Sequence, residues 1–340
     1  MYQEAEKLKE FVDNASKIVV IQADNPDSDS LGSALALEQI LSDLNKEVVL
    51  YCGVDMPSYL NYMSGSDRVQ KDIPNNFDLS IIVDASTTTL LEKLSRSGQQ
   101  GWVSSKTVVV LDHHEMVEKV IPYSNLMIND FKRSSAGELI YALAKQLNWP
   151  LNQAAQEFVM TAILGDTQGL SNQLASADTY DIMAEMVRFG IDRPKLEELR
   201  RLNGKMSEAI FRYKADLIKR TEFYDDNQIA LVVVPQVEIS NYSPSYNPAA
   251  LIQGDMLQTR DVRITIVMKH YDDDKVTAAI RTNPDANVAA DLADHFGGGG
   301  HKFASGFKIE RVDDFDALKE KCIDKATELL EQLEQGNEAV

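Results

Sequence analysis

Residues 107–111 (TVVVL) run straight into Asp112-His113-His114. An apolar and β-branched run with no polar alternation reads as a strand buried on both faces, and such strands belong to parallel sheets covered by helices. Comparable runs stand at 17–23 (KIVVIQA), 47–52 (EVVLYC) and 79–83 (LSIIV). Stretches of helical periodicity separate them, the clearest at about 33–44, where Leu35, Leu37, Ile40, Leu41 and Leu44 form one stripe. This alternation predicts an α/β fold with a parallel sheet. Ligands of such sheets bind beyond the carboxyl ends of the strands, and here those ends are polar.

The pattern changes further along. Helices are expected at 135–147 and 151–165, and mostly helix over 176–222. Strands at 228–234, 262–269 and 275–281, a helix at 286–296, a strand at 305–310 and a helix at 313–335 follow. A Pro- and Ser-rich loop at 240–248 precedes a helix near 248–258. The expected organisation is an N-terminal domain at 1–190, a helical connector at 191–225 and a smaller α+β domain at 226–340, with the active-site cleft between the two domains. A length of 340 residues suffices for two cores.

The net charge of −19 argues against a general binder of long duplexes, which carries a basic face. It is compatible with a short nucleotide held by cations. Two distant cysteines, Cys52 and Cys322, read as reduced thiols. With no signal-like leader and no membrane-length apolar run, the expected setting is cytoplasmic, with no membrane partner. The sequence leaves the oligomeric state open, and a homodimer is compatible with it.

Acidic and imidazole groups collect at the strand ends: Asp27 and Asp29 after the first strand, Asp84 after the third, and Asp112, His113 and His114 after the fourth. Asp166 adds to them at a helix end. Taken singly, each has a plain structural explanation: a polar turn, a helix cap, a satisfied histidine. Together, carboxylates converging on one crevice repel unless cations neutralise them. Carboxylate and imidazole donors suit Mn²⁺ or Mg²⁺, and a pair of such ions is a recurring device for hydrolysing phosphate esters.

These segments resemble a known family. NPDSDSLGS at 25–33, Val83-Asp84, LDHH at 111–114 and Gly165-Asp166-Thr167 resemble the four successive motifs of the DHH phosphoesterases. GGGGH at 297–301 with ASG at 304–306 resembles the signature of the DHH-associated C-terminal domain. The resemblance implies a two-metal-activated water, with Asp27 on the first metal, Asp29, His113 and Asp166 on the second, and Asp84 bridging. It assigns His114 to the substrate phosphate, and Asp112 then orients an imidazole. In the C-terminal domain a helix-capping glycine, backbone N–H groups open to an anion, a hydrogen bond from His301 and a bidentate pair from Arg281 at a strand end predict substrate-phosphate binding by Arg281, Gly298, Gly299, Gly300 and His301. Lys132 and Arg133 are expected in a solvated loop.

One position departs from the family. Ala23 stands where the family's first motif places a metal-binding histidine, so the first of two Mn²⁺ (or Mg²⁺) sites is expected to be weak unless Gln22 or Asp24 replaces the ligand. The size resembles bacterial nanoRNase/pAp phosphatases, which implies short RNA or nucleotide substrates. A cyclic-dinucleotide phosphodiesterase and a nucleotide-binding pseudoenzyme are the alternatives. A dehydrogenase is excluded because no GxGxxG follows the first strand.

Overall fold

The computed structural model describes residues 1–114, 120–243 and 246–338. Contacts divide the chain into two units, Met1–Lys205 and Met206–Val340. The division falls inside the stretch read as a connector.

In the first unit, Lys17–Ile21 (β1), Glu47–Tyr51 (β2), Leu79–Val83 (β3), Thr107–Asp112 (β4) and Leu126–Asn129 (β5) form a parallel sheet in the order β2-β1-β3-β4-β5. Its helices are Ala5–Asn14 (α1), Ser28–Asp43 (α2), Glu92–Arg96 (α3), Gln100–Ser104 (α4), Ala136–Leu147 (α5), Gln153–Asp166 (α6), Ala177–Phe189 (α7) and Arg193–Asn203 (α8). Every residue of β3 is buried. Leu79, Ile81 and Val83 join the core with residues of α1, α2, α5 and α6. Ile82 joins an opposite core with Leu94 of α3 and Val103 of α4. That two-sided burial is why the strands lack polar alternation.

Strand order reverses direction between β1 and β3, the switch point at which such sheets open a crevice. Ile21 pairs with Ile82 and Val83 with Leu111, so the ends of β1, β3 and β4 lie level. The residues that follow these ends are those carrying the motifs.

One boundary differs from the sequence expectation in a way that matters. The helix expected to start near residue 33 starts at Ser28. Asp27 caps it, its carboxylate accepting the N–H groups of Asp29 and Ser30, both at 3.0 Å. The turn-rich composition of 24–33 hid an N-terminal capping sequence.

The second unit contains Glu208–Lys219 (α9), Glu222–Tyr224 (β6), Ile229–Pro235 (β7), Gln236–Tyr242 (α10), Pro248–Leu257 (α11), Ile264–His270 (β8), Val276–Thr282 (β9), Ala289–His295 (α12), Gly299–His301 (β10), Ala304–Ile309 (β11) and Phe315–Glu338 (α13). Its mixed sheet has the order β10-β11-β9-β8-β7-β6, with only β7 and β8 parallel. One face packs with α12 and α13, the other with α9 and α11. The sequence reading did not find β5, β6, α10 or β10. All are short, and β10 is glycine-rich, so intrinsic strand preference is low and pairing with β11 supplies the order. Helix α10 enters the expected loop at 240–248, of which residues 244 and 245 lie outside the described residues. No helix among the described residues is long and apolar enough to cross a membrane.

Candidate metal centre and active site

Asp29, Asp84, His113 and Asp166 meet at the switch point of the parallel sheet. His113 Nε2 lies 3.1 Å from Asp166 Oδ2, 3.4 Å from Asp29 Oδ2 and 3.6 Å from Asp84 Oδ1. Two ligand groups result among the described residues: Asp29, His113 and Asp166, and Asp84, His113 and His114, each with donor atoms within 4.8 Å of one another.

Local structure explains the placement. Asp29 sits in the first turn of α2, fully buried, and points at the start of α5. Its Oδ2 accepts from Ala136 N at 2.7 Å, and its Oδ1 from Gly137 N at 3.0 Å and Ser33 Oγ at 2.8 Å. Asp166 closes α6. A Cβ on Gly165 would come within 2.7 Å of Ser28 Cβ, so glycine there lets the end of α6 approach the start of α2 and bring Asp166 across from Asp29. Asp84 follows β3 with φ of +56°, a left-handed conformation that aspartate tolerates better than most residues.

The two imidazoles are oriented differently. His113 Nδ1 donates to the carbonyl of Arg133 at 3.3 Å, which leaves the lone pair on Nε2, among the carboxylates. His114 Nδ1 donates to Asp112 Oδ1 at 2.8 Å. That assigns His114's exchange with any substrate to Nε2 and makes it a poor cation ligand through Nδ1. Asp112 is fully buried and also accepts from the backbone N–H of His113 at 2.9 Å. It therefore orients His114 by its side chain and the whole turn by its backbone contacts.

The electrostatics call for a cation. Burial, reinforced by a neighbouring carboxylate, pushes Asp84 well above the ordinary range and Asp29 up to about 6. Asp166 is raised by burial and then by Asp27. Burial opposes charge on His113, but Asp166, Asp84 and Asp29 outweigh it and raise the imidazole well above its usual value. Asp112 behaves oppositely: burial would raise it, yet the hydrogen bond from His114 prevails and holds it at about 2. Asp84 Oδ1 and His113 Nε2 are buried without a hydrogen-bond partner. An unpartnered carboxylate oxygen, and an imidazole nitrogen that faces only carboxylates, are what a divalent ion satisfies by taking the place of the imidazole's proton, and oxygen with imidazole donors fits Mn²⁺ or Mg²⁺.

Asp27 stands outside both ligand groups and keeps a solvent-facing surface, though packing around its carboxyl, and Asp29 beside it, still raise it. Ala23 is buried among apolar residues with Ile21, Tyr51 and Leu91. Neither proposed substitute joins the ligand groups. Asp24 Oδ2 accepts from Lys93 N at 2.7 Å at the start of α3, and its Oδ1 is buried without a hydrogen-bond partner. Gln22 is fully buried, and both its amide atoms lack a partner.

In the second unit, Arg281 is exposed on β9 and makes no ion pair among the described residues, its Nη1 donating to Ile280 O at 2.9 Å. Gly297, at φ of +74°, takes the left-handed position after α12. Gly298 has a prior structural duty: a Cβ there would come within 2.2 Å of Gly306 O. Gly299 and Gly300 are exposed in β10. The His301 side chain lies outside the described residues. Lys132 is exposed as expected for a loop, but Arg133 is not a solvated loop residue. Its guanidinium donates to Glu138 Oε1 at 3.0 Å and to Tyr2 Oη at 2.9 Å. The sequence placed Arg133 in a solvated loop and offered no direct sign of the N–H groups of Ala136 and Gly137. Ser135 with Glu138 three residues on, a helix-start signature, was the available signal.

Residues 17–163 match the DHH family, N-terminal domain, and residues 232–332 match the DHHA1 domain. The chain thus carries a DHH domain followed by a DHHA1 domain. It is accordingly a phosphoesterase, a hydrolase. The DHH and DHHA1 domains together resemble the bifunctional oligoribonuclease and PAP phosphatase NrnA of Bacillus subtilis, with 23% identity over 86% of this chain and 89% of the relative. The cyclic-di-AMP phosphodiesterase GdpP of Bacillus subtilis is 23% identical over 92% of this chain but only 48% of its own length. Among solved structures, an exopolyphosphatase-related protein from Bacteroides fragilis has the same fold, with a TM-score of 0.84 at 21% identity, covering 96% of this chain and 97% of that one. A manganese-bound exonuclease RecJ is a more distant fold relative, with a TM-score of 0.50 at 17% identity over 95% and 93%.

The Ala23 departure in the DHH domain gives a direct prediction. Calorimetric Mn²⁺ titration is expected to find one tight site in the parent and a second, tighter than the parent's, in Ala23→His. Asp24→Asn keeps an acceptor oxygen for Lys93 N and is expected to leave the stoichiometry unchanged. Two tight sites in the parent, one of them lost in Asp24→Asn, would identify Asp24 as the replacement ligand instead.

Proposed function

We propose that this chain hydrolyses short oligoribonucleotides and pAp-like nucleotides in the cytoplasm, using Mn²⁺ or Mg²⁺ in two sites of unequal strength. The observation that carries the reading is the convergence of Asp29, Asp84, His113 and Asp166 on buried, unpartnered acceptor atoms at the sheet's switch point. A bound divalent ion supplies Lewis acidity toward water and a phosphoryl oxygen. Asp29, His113 and Asp166 would hold the stronger site, Asp27 would serve the weaker one, and Asp84 would contribute to both. His114, fixed by Asp112, presents Nε2 to the phosphate and can exchange a proton there. Arg281, Gly298, Gly299, Gly300 and His301 bind a substrate phosphate, the arginine by a bidentate pair.

Similarity to NrnA along nearly the whole of both chains supports short RNA and pAp as the substrate class. Similarity to GdpP supports a cyclic dinucleotide as the second reading. Ala23 favours a third, nucleotide binding with little turnover. The test is purified protein with Mn²⁺ and a panel of dinucleotides, RNAs of graded length, pAp and cyclic di-AMP. Fastest turnover on the shortest RNAs and pAp is the expected result; a preference for cyclic di-AMP selects the second reading, and binding without products selects the third.

His114→Ala should lower turnover about 10²–10⁴-fold, the usual worth of a positioned acid or base. Mn²⁺ affinity should stay close to that of the parent. Loss of metal together with turnover would move His114 into the ligand set.

A further inference from the structure

Glu138 is fully buried, and the chemistry above does not use it. Its Oε1 accepts from Arg133 Nη1 at 3.0 Å. Its Oε2 accepts from Ser134 N at 3.2 Å, from Ser134 Oγ, and from Thr179 Oγ1 of α7 at 2.8 Å. One carboxylate thus gathers four donors from two parts of the chain, and no polar group of its own is left over.

The segment it ties together, residues 133–138, holds both of the groups at the centre of the ligand cluster. At one end, the Arg133 carbonyl accepts His113 Nδ1 and so fixes which nitrogen faces the carboxylates. In the middle, Ala136 N and Gly137 N take one oxygen each of Asp29. At the other end, Glu138 turns back to Arg133 and Ser134. Arg133 is further pinned by Tyr2, whose hydroxyl accepts from Arg133 Nε at 2.9 Å and donates to Asp130 Oδ2 at 2.7 Å. Asp130 Oδ2 also lies 3.4 Å from Arg133 Nε, so this partly buried ion pair braces the loop together with Glu138. Asp178 stands at 3.6 Å from Arg133 Nη1 but is largely exposed.

We infer that Glu138 is a positioning residue, a buried strut that sets the Asp29 cradle and the His113 tautomer and thereby the affinity of the stronger cation site. It touches neither cation nor substrate. The inference rests on the reading of Asp29 and His113 as cation ligands. Groups that orient ligands commonly change metal affinity about 10–100-fold when lost.

The test is Glu138→Gln. Glutamine keeps the shape, but its amide has one acceptor oxygen where the carboxylate uses two, so it cannot accept from Thr179 and Ser134 and from Arg133 as well. Three quantities are read: thermal stability without metal, Mn²⁺ affinity by electron paramagnetic resonance, and the ¹⁵N shifts of His113 in the Mg²⁺-loaded protein. The expected outcome is a folded variant with Mn²⁺ affinity down about 10–100-fold and a His113 signal no longer confined to the Nδ1–H form. A variant with lower stability but parent-like Mn²⁺ affinity and tautomer would make Glu138 structural only and overturn the inference. If Glu138→Gln does not fold, Thr179→Val removes a single donor and is read in the same way: a measurable loss of Mn²⁺ affinity supports the strut, and an unchanged affinity overturns it. Parent protein that binds no Mn²⁺ would overturn the reading of the centre itself, and this inference with it, so the two failures are distinguishable.

Discussion

Asp84→Asn is expected to lower phosphoester hydrolysis by about 10³-fold or more, a few kcal/mol of lost charge stabilisation. Asparagine is the informative replacement. Asp84 occupies a left-handed backbone conformation at φ of +56°, which asparagine shares with aspartate and alanine tolerates poorly. An alanine variant therefore confounds backbone strain with loss of a ligand. The same substitution should stabilise the protein in chelator. Asp84 is held well above its ordinary range by burial and by Asp29, and removing its charge relieves that crowding. A rise of about 2–4 °C in Tm is the scale for each kcal/mol relieved in a domain of this size. Activity assays with Mn²⁺ and melting curves in EDTA, on the same preparation, check both halves. A variant inactive but also less stable in EDTA would mean that Asp84 is a structural group and not one kept at the expense of stability.

The sequence carried the first unit well because the physics there is one-dimensional. Strands buried on both faces must be apolar throughout, and β3 and β4 are, so their ends and the polar groups beyond them could be placed without tertiary information. Asp29, Asp84, His113 and Asp166 come together for that reason. What stayed hidden depends on contacts between distant segments. That Asp29 is cradled by α5 is a matter of 107 and 108 residues of separation. That Arg133 is held inside, and not solvated, depends on Tyr2, 131 residues away, and on the buried Glu138. The start of α2 was misplaced because Asp27, Ser28 and Ser30 are turn formers and helix cappers by the same chemistry, and only the bonds from Asp29 N and Ser30 N decide between these roles. Strand β10 is legible only through its partner, since Gly299 and Gly300 have no strand preference to declare.

The metal-free protein should be most stable in mild acid, and Mn²⁺ should stabilise it far more at pH 8 than at pH 5. Asp29 has its folded value raised from 3.8 to about 6 by burial and by Asp166. A group raised on folding favours the native state while protonated, and that contribution is lost as pH rises through the folded value. For Asp29 the gap is worth about 3 kcal/mol, lost between 3.8 and about 6. Asp84, Asp166 and His113 are raised as well and act with the same sign. Asp112, held at about 2, acts oppositely: its contribution is complete above 3.8 and disappears only as pH falls toward about 2. The chelated protein thus loses stability from both sides of a mildly acidic optimum. A cation reverses the upper limb, because it takes the place of the protons that the cluster otherwise holds. With Mn²⁺ at 100–1,000 times its dissociation constant, the gain is about 2.7–4.1 kcal/mol. At roughly 2–4 °C per kcal/mol, this corresponds to about 5 °C or more in Tm at pH 8. At pH 5 protons compete for the same atoms and the gain should shrink to a small fraction of that. Asp29→Asn should flatten the pH dependence of the chelated protein and abolish most of the Mn²⁺ effect. Melting curves at the two pH values, with EDTA and with Mn²⁺, decide the matter: a gain from Mn²⁺ that is equal at both, or larger at pH 5, would mean that the ion binds somewhere other than this cluster.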